Sequence, residues 1–481
     1  MPIEARDPAT PAPASSQQMR LWYLGQIETD YNANNLPAAF RLTGPLDLDA
    51  LQQAMDRIVQ RQAALRTNIV MQDGELVQVV RENLRLDLSP VPAADFGVEA
   101  GHAQTVDALA LAIKRECAIP FDLATDPLIR AGLVQLAADD HVLYVIIHHV
   151  IFDGWSFDVL LHELFTLYNA YRAGRPDPLP ALPVSYADYA AWQRRWLASA
   201  PVQAQLDYWL EHLAGELPIL DLPLDRPRPP LQHHTADAVL IDIDGPLLAR
   251  LDAVANRCGA TLFMVMLSLY AATLFRYTRQ SDLLIGAPIS GRNMDELSGL
   301  LGFFVNTLVF RLEVDSDQPY AQWLQAVKRE CLQAYDHQDT PFELIIQHLK
   351  LPRDLSRSPV YQTLFIYQDV RNRTDQPDGM HKEQVNIELA GVQTDLDFWL
   401  KRETGHMSGG FEFPVALFER DTIAAMAASF MAMARRLADN PEQRIAELVA
   451  PTDDERARLS AWNATGSDYP RDRGLAAVLG E

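Results

Sequence analysis

The sequence predicts a mixed α/β protein built from two lobes, and three observations carry that prediction. The 481 residues exceed one ordinary domain, and 48% of them are hydrophobic, enough to fill large cores. Runs with helical spacing alternate with β-rich runs in both halves of the chain. Between the halves, "RAGRPDPLPALPVS" interrupts the pattern with four prolines and a glycine. These breaks divide the chain into a flexible leader at 1–14, a first lobe at 15–176, a second lobe at 177–455 and a linker at 456–481.

The Pro/Ala-rich start gives way to "SSQQMRLWYLGQ", where Met19, Trp22 and Tyr23 are expected along one side of a helical turn. In "LDLDALQQAMDRIVQRQAALRT", Leu51, Met55, Ile58 and Val59 recur at helical spacing. "TNIVMQDGELVQVV" then sets an Asp-Gly turn between two β-rich runs, the signature of a hairpin. "HVLYVIIHH", from His141 to His149, is apolar on both faces and predicts a strand buried between layers. A helix over 156–171 follows, with Ser156 as N-cap and Leu160, Leu161, Leu164 and Tyr168 on its inner stripe.

The second half repeats the alternation. After the Pro-rich connector "LPLDRPRPPLQHH" come a strand in "DAVLIDIDG", a buried helix in "ATLFMVMLSLYAATLFRYT" and a strand in "DLLIGAPIS". Periodicity fades after Trp462, which predicts the linker.

Charge and cysteine usage exclude several classes. Lys and Arg total 41 against 64 Asp and Glu, and a net charge of −23 repels nucleic acid and anionic membrane. Cys117, Cys258 and Cys331 lie far apart, without the paired spacing of disulfide frameworks or zinc sites, and fit a reducing, cytoplasmic setting. The N-terminus lacks the apolar stretch of a secretory signal, and no apolar run reaches membrane-spanning length. No Walker loop, Rossmann fingerprint or G-x-S-x-G elbow is present.

The chemistry is expected in "IIHHVIFDGWS", residues 146–156. Neighbouring side chains of a strand face opposite ways, so His148 and His149 divide the work, one serving the scaffold and the other the site. His149, nearer the turn at Asp153 and Gly154, is the candidate reactive imidazole, able to accept or share a proton near neutrality. Asp153 has two readings: it orients that imidazole, or it pairs with a distant arginine to fix the turn. The diverging His pair lacks a third ligand at metal spacing, so no metal is expected. His233 and His234 form the same doublet without an Asp-Gly turn and are read as surface residues.

With this motif in view, the chain resembles the condensation domains of nonribosomal peptide synthetases, relatives of chloramphenicol acetyltransferase. Seven stretches carry the likeness in order: "SSQQMRLWYL", "RQAALRT", "HHVIFDGWS", "YADYAAWQ", "LGFFVNTLVFR", "HQDTPFE" and "RDLSRSPV". Gln17 stands where the family commonly has alanine, and Gln62 and Ala63 replace its usual His-Glu. The tail "WNATGSDYP" resembles the linker that leads into an adenylation domain.

The resemblance implies two acetyltransferase-like lobes in a V, with a central tunnel entered from opposite sides by phosphopantetheine arms. It implies amide formation between a donor acyl thioester and a carrier-bound aminoacyl acceptor, without a permanently bound cofactor. His149 matches the family's active-site histidine. His148, Asp153 and Gly154 match structural positions, and Arg292 matches the arginine that pairs with the aspartate across the lobes. Asn306 is expected to offer an amide to substrate or to a loop, and Arg66 to brace the site from behind.

Expected partners are carrier domains, a downstream adenylation domain in the same polypeptide, and acyl-coenzyme A or an acyl carrier as donor. Two fused lobes predict a monomer. The short leader predicts a starter domain that acylates the first amino acid; an origin within a longer polypeptide is the alternative reading of Met1. An internal peptide-bond-forming domain and a noncatalytic platform that recruits partner enzymes are the rival functions. An epimerisation domain is disfavoured by the tail, a heterocyclisation domain by the histidine pair, and a standalone acetyltransferase by the length.

Overall fold

The structure, a computed structural model, describes residues 2–7, 10–27, 34–98, 105–352, 354–370, 375–387 and 391–466. Arg353 of the "RDLSRSPV" motif and residues 467–481 of the expected linker lie outside them. The first half builds a sheet on the strand Asp140–His148, flanked by Asn35–Thr43 and Ile129–Ala137, both antiparallel to it. Pro90–Pro92 closes one edge and His381–Val385 the other.

The double apolar pattern of the central strand has a direct cause. Leu143, Val145 and Ile147 face one core with the helices Leu48–Arg61 and Gly154–Arg172, while Val142, Tyr144 and Ile146 face a second core with the helix Thr105–Cys117. A strand covered on both sides has no wet face on which to place polar residues.

The second half forms a six-stranded sheet in the order Asn306–Glu313, Asp282–Ile289, Thr363–Asp369, Leu396–Glu403, His406–Pro414 and Ala236–Ile243. The helices Gly245–Arg257, Leu262–Thr278, Tyr320–Asp336 and Arg420–Asp439 share its core, at whose centre Phe398 stacks on Phe411 with ring centroids 4.4 Å apart. The hairpin expected at 67–80 is present, its Asp73 and Gly74 both at positive φ (51° and 84°), as a tight two-residue turn requires.

Several expectations are corrected. The leader is not loose where it is described: Ala12–Pro13 pair with Glu75–Val80, and the Arg6 amide donates to Asp188 at 2.8 Å. Proline is tolerated there because an edge strand leaves its missing N–H unneeded. The helix Ser16–Ile27 buries Gln17, Gln18 and Leu21, whereas Met19 and Tyr23 are exposed. Its glutamines go inside because each is hydrogen-bonded, Gln18 Nε2 to the Val150 carbonyl at 3.1 Å and Gln17 to Gln193 at 2.9 Å. The segment expected to begin a linker at 456 starts as part of the helix Asp453–Asn463, capped by Thr452.

Position 176 does not divide the cores cleanly. Tyr186 and Tyr189 of the helix Tyr186–Leu197, and Leu297, Leu300, Leu301, Phe303 and Phe304, all belong to the first core. The strand His381–Val385 likewise leaves the second half to complete the first sheet.

Candidate active site

The strand Asp140–His148 ends one residue short of His149, which opens a single 3-10 turn, His149–Ile151. Asp153 then caps the helix Gly154–Arg172, accepting the Ser156 N–H at 2.8 Å. The cap is therefore Asp153, and Ser156 is the third helical residue rather than the cap, because the carboxylate supplies the acceptor for its amide. Gly154 is the first residue of the helix.

The two histidines diverge as expected. His148 is buried against Phe121, ring centroids 6.1 Å apart, and its Nδ1 accepts the Val150 N–H at 3.1 Å. Burial pushes its pKa down to about 3, with a further push from His149. His149 is half-buried and lies on the opposite side, its ring 4.5 Å from that of Phe303. Its Nδ1 is 2.7 Å from the Phe152 carbonyl oxygen.

That last contact fixes a tautomer. A carbonyl oxygen only accepts, so Nδ1 carries the proton and Nε2 is left with its lone pair. Desolvation moves the His149 pKa below its ordinary value; Asp153 pulls upward and Arg20 pushes down. The imidazole is thus held neutral, with the lone pair on Nε2.

Asp153 takes the second of its two readings. Fully buried, it accepts Arg292 Nη2 at 3.0 and 3.3 Å, the Ser156 hydroxyl at 2.7 Å and the Phe304 N–H at 3.1 Å. Arg292 Nη1 donates to the Leu297 and Leu300 carbonyls at 2.7 Å each, and its guanidinium lies 4.0 Å from the Phe304 ring. The pair therefore binds the crossing loop at 292–304 to the histidine turn. Gly302 is required in this loop, since a Cβ there would sit 2.1 Å from the Tyr186 ring.

Asn306 and Arg66 both hold backbone groups. The Asn306 amide nitrogen donates to the Gln338 and Thr340 carbonyls (2.9 and 2.8 Å), and its oxygen accepts the Thr307 and Phe342 N–H groups (2.9 and 3.1 Å). Of the two expected uses, the loop consumes the whole amide. Arg66 donates to the Val59 and Gln60 carbonyls at 2.9 and 3.3 Å and to the Arg81 carbonyl, tying the end of one helix to the hairpin.

Gln62, singled out only as a departure from the family pattern, proves structural. It is 1% exposed, donates to Glu163 and the Gly299 carbonyl at 3.1 and 3.0 Å, and accepts the Leu301 N–H at 3.0 Å. Arg20, also missed, pairs with Glu343 at 3.0 Å and joins the first helix to the helix Phe342–Leu349. Both were quoted inside motifs; their partners lie hundreds of residues away, beyond the reach of local pattern.

The fold and this turn define a class, an α/β chain with two large sheets organised around an HHxxxDG turn, and comparison supplies its family. The family model described as "Condensation domain" matches residues 9–460, and the chain belongs to that family. It is 34% identical over 470 residues to tyrocidine synthase 3 of Brevibacillus parabrevis, covering 98% of this chain and 7% of that protein. It is 37% identical over 469 residues to malpibaldin synthetase of Mortierella alpina, covering 96% and 8%. The chain thus spans less than a tenth of the length of these two relatives.

Among solved structures, the X-domain from teicoplanin biosynthesis superposes with a TM-score of 0.81 at 27% identity, over 93% of this chain and 99% of that one. The first condensation domain of the calcium-dependent antibiotic synthetase gives 0.77 at 19% identity over 92% and 99%, a likeness of fold.

Proposed function

We propose that the chain forms amide bonds as a condensation domain of a nonribosomal peptide synthetase, by aminolysis of a donor thioester. The observation that carries this reading is the contact between His149 Nδ1 and the Phe152 carbonyl, which places the proton on Nδ1 and the lone pair on Nε2. The acceptor amine attacks the thioester carbon while one of its N–H groups points at that nitrogen. The N–C bond forms, the C–S bond breaks, and the proton passes from nitrogen through Nε2 to the departing sulfur. Free α-amines have a pKa of about 7.7–8.0, so much of the acceptor is already deprotonated near neutrality. A depressed imidazole pKa makes Nε2 a positioning acceptor more than a strong base.

The substrates arrive on phosphopantetheine arms of carrier domains, and no resident cofactor enters the reaction. The test is mass spectrometry of a loaded acceptor carrier incubated with donor thioesters. His149→Ala is expected to abolish most product, about 100-fold or more in rate, with an unchanged circular dichroism spectrum. Near-normal turnover in that variant contradicts the proposal.

Two finer readings divide on the donor. A starter domain takes acyl-coenzyme A, whereas an internal domain requires an aminoacyl or peptidyl carrier. A platform function is favoured by one observation, the likeness at 27% identity to an X-domain solved in complex with OxyB. The Nδ1-protonated tautomer at position 149, with its lone pair on Nε2, supports catalysis over that alternative.

A further inference from the structure

We propose that Asn34 is a second substrate contact, its side-chain oxygen accepting one N–H of the attacking amine while His149 Nε2 takes the other. This rests on the aminolysis reading. The Asn34 carbonyl accepts the His149 backbone N–H at 2.7 Å, so the two residues are cross-strand neighbours. The next residue, Asn35, is paired in register with His148. Its amide donates to the Cys117 and Ile119 carbonyls at 2.7 and 3.0 Å.

Asn34 stands one residue before the strand Asn35–Thr43 and His149 one residue after Asp140–His148; because the 2.7 Å bond continues the ladder by one step, the Asn34 side chain leaves the face taken by Asn35 and His148. Asn34 is 3% exposed, and its Oδ1 is buried with no hydrogen-bond partner among the described residues. A buried carbonyl oxygen without a donor loses its hydration and gains nothing in return, and an N–H of the bound substrate offsets that loss.

The chemistry of a primary amine supplies that donor. With its lone pair aimed at the thioester carbon, the nitrogen presents two N–H bonds to two acceptors. At ordinary hydrogen-bond lengths of about 2.9 Å, those acceptors stand about 4.7 Å apart, within the spacing of cross-strand side chains. The proton facing His149 leaves to the sulfur; the N–H facing Asn34 stays in the amide product. An N-methylated amine has one N–H and cannot satisfy both.

The experiment compares the best-accepted amino acid on its carrier with the N-methyl derivative of the same residue. The native chain is expected to prefer the primary amine by roughly tenfold or more in kcat/KM. Asn34→Ala is expected to lose about that factor for the primary acceptor and bring the ratio close to one. Asn34→Asp retains an acceptor oxygen and is expected to retain the preference. An unchanged ratio in Asn34→Ala overturns the proposal, as does equal use of both amines by the native chain, which needs no variant to fold. Failure of the aminolysis reading is distinct: it would appear as normal product formation by His149→Ala.

Discussion

At position 149 the placement of one proton decides the chemistry, and at position 148 the absence of one supports the fold. His148 has a folded pKa of about 3 against an ordinary value of 6.5. The unfolded chain binds a proton there first, so His148 contributes full stability above 6.5 and loses it as pH falls toward 3. His148→Asn keeps an acceptor for the Val150 N–H but cannot titrate. Urea midpoints measured from pH 7.5 down to 5 should fall less steeply in this variant by about one proton; an unchanged slope contradicts the assignment. Much at this scale was legible: the histidine doublet, its divergence and the turn at Asp153 follow from strand alternation and turn chemistry. Asn34 was not, because it lies in "YNANNLP", a polar stretch without periodicity, and its value depends on a partner 115 residues away, His149.

Between elements, the crossing loop at 292–304 is held by two buried fasteners. Arg292 and Asp153 have side chains 2% and 0% exposed, so Arg292→Ala leaves a carboxylate buried without its cation. That should cost about 3–5 kcal/mol by chemical denaturation. Gln62→Ala removes two hydrogen bonds to the same loop, at Gly299 and Leu301, and one to Glu163, and should cost about 1–3 kcal/mol. Losses under about 0.5 kcal/mol in both would show the loop to be docked by its apolar residues alone. The helix start also explains a boundary error. Ser156 fits an N-cap by residue type, but Asp153, three positions earlier, captures its N–H. Helix interiors were readable from the spacing of Leu160, Leu161, Leu164 and Tyr168, while the ends depended on which of two competing caps won.

At the scale of the whole molecule, the two halves share strands and loops across the midpoint of the chain. The proline-rich break at 172–185 marked a real change in pattern, yet Phe304 returns to the first core and the strand His381–Val385 to the first sheet. Local composition reports where regular structure stops; it carries no information on where a later segment docks. Function scales with the same assembly. If the chain is a starter, acyl-coenzyme A and an aminoacyl carrier suffice for product, and an internal domain gives none until a donor carrier is added.

The central claim, that this assembly holds a neutral imidazole with its proton on Nδ1, is tested most directly by nitrogen-15 NMR of histidine-labelled whole chain, with His149→Ala used to assign the signal. The account predicts a proton on Nδ1, none on Nε2 at pH 7, and titration displaced below 6.5. A proton on Nε2, or half-protonation at or above 6.5, would contradict it.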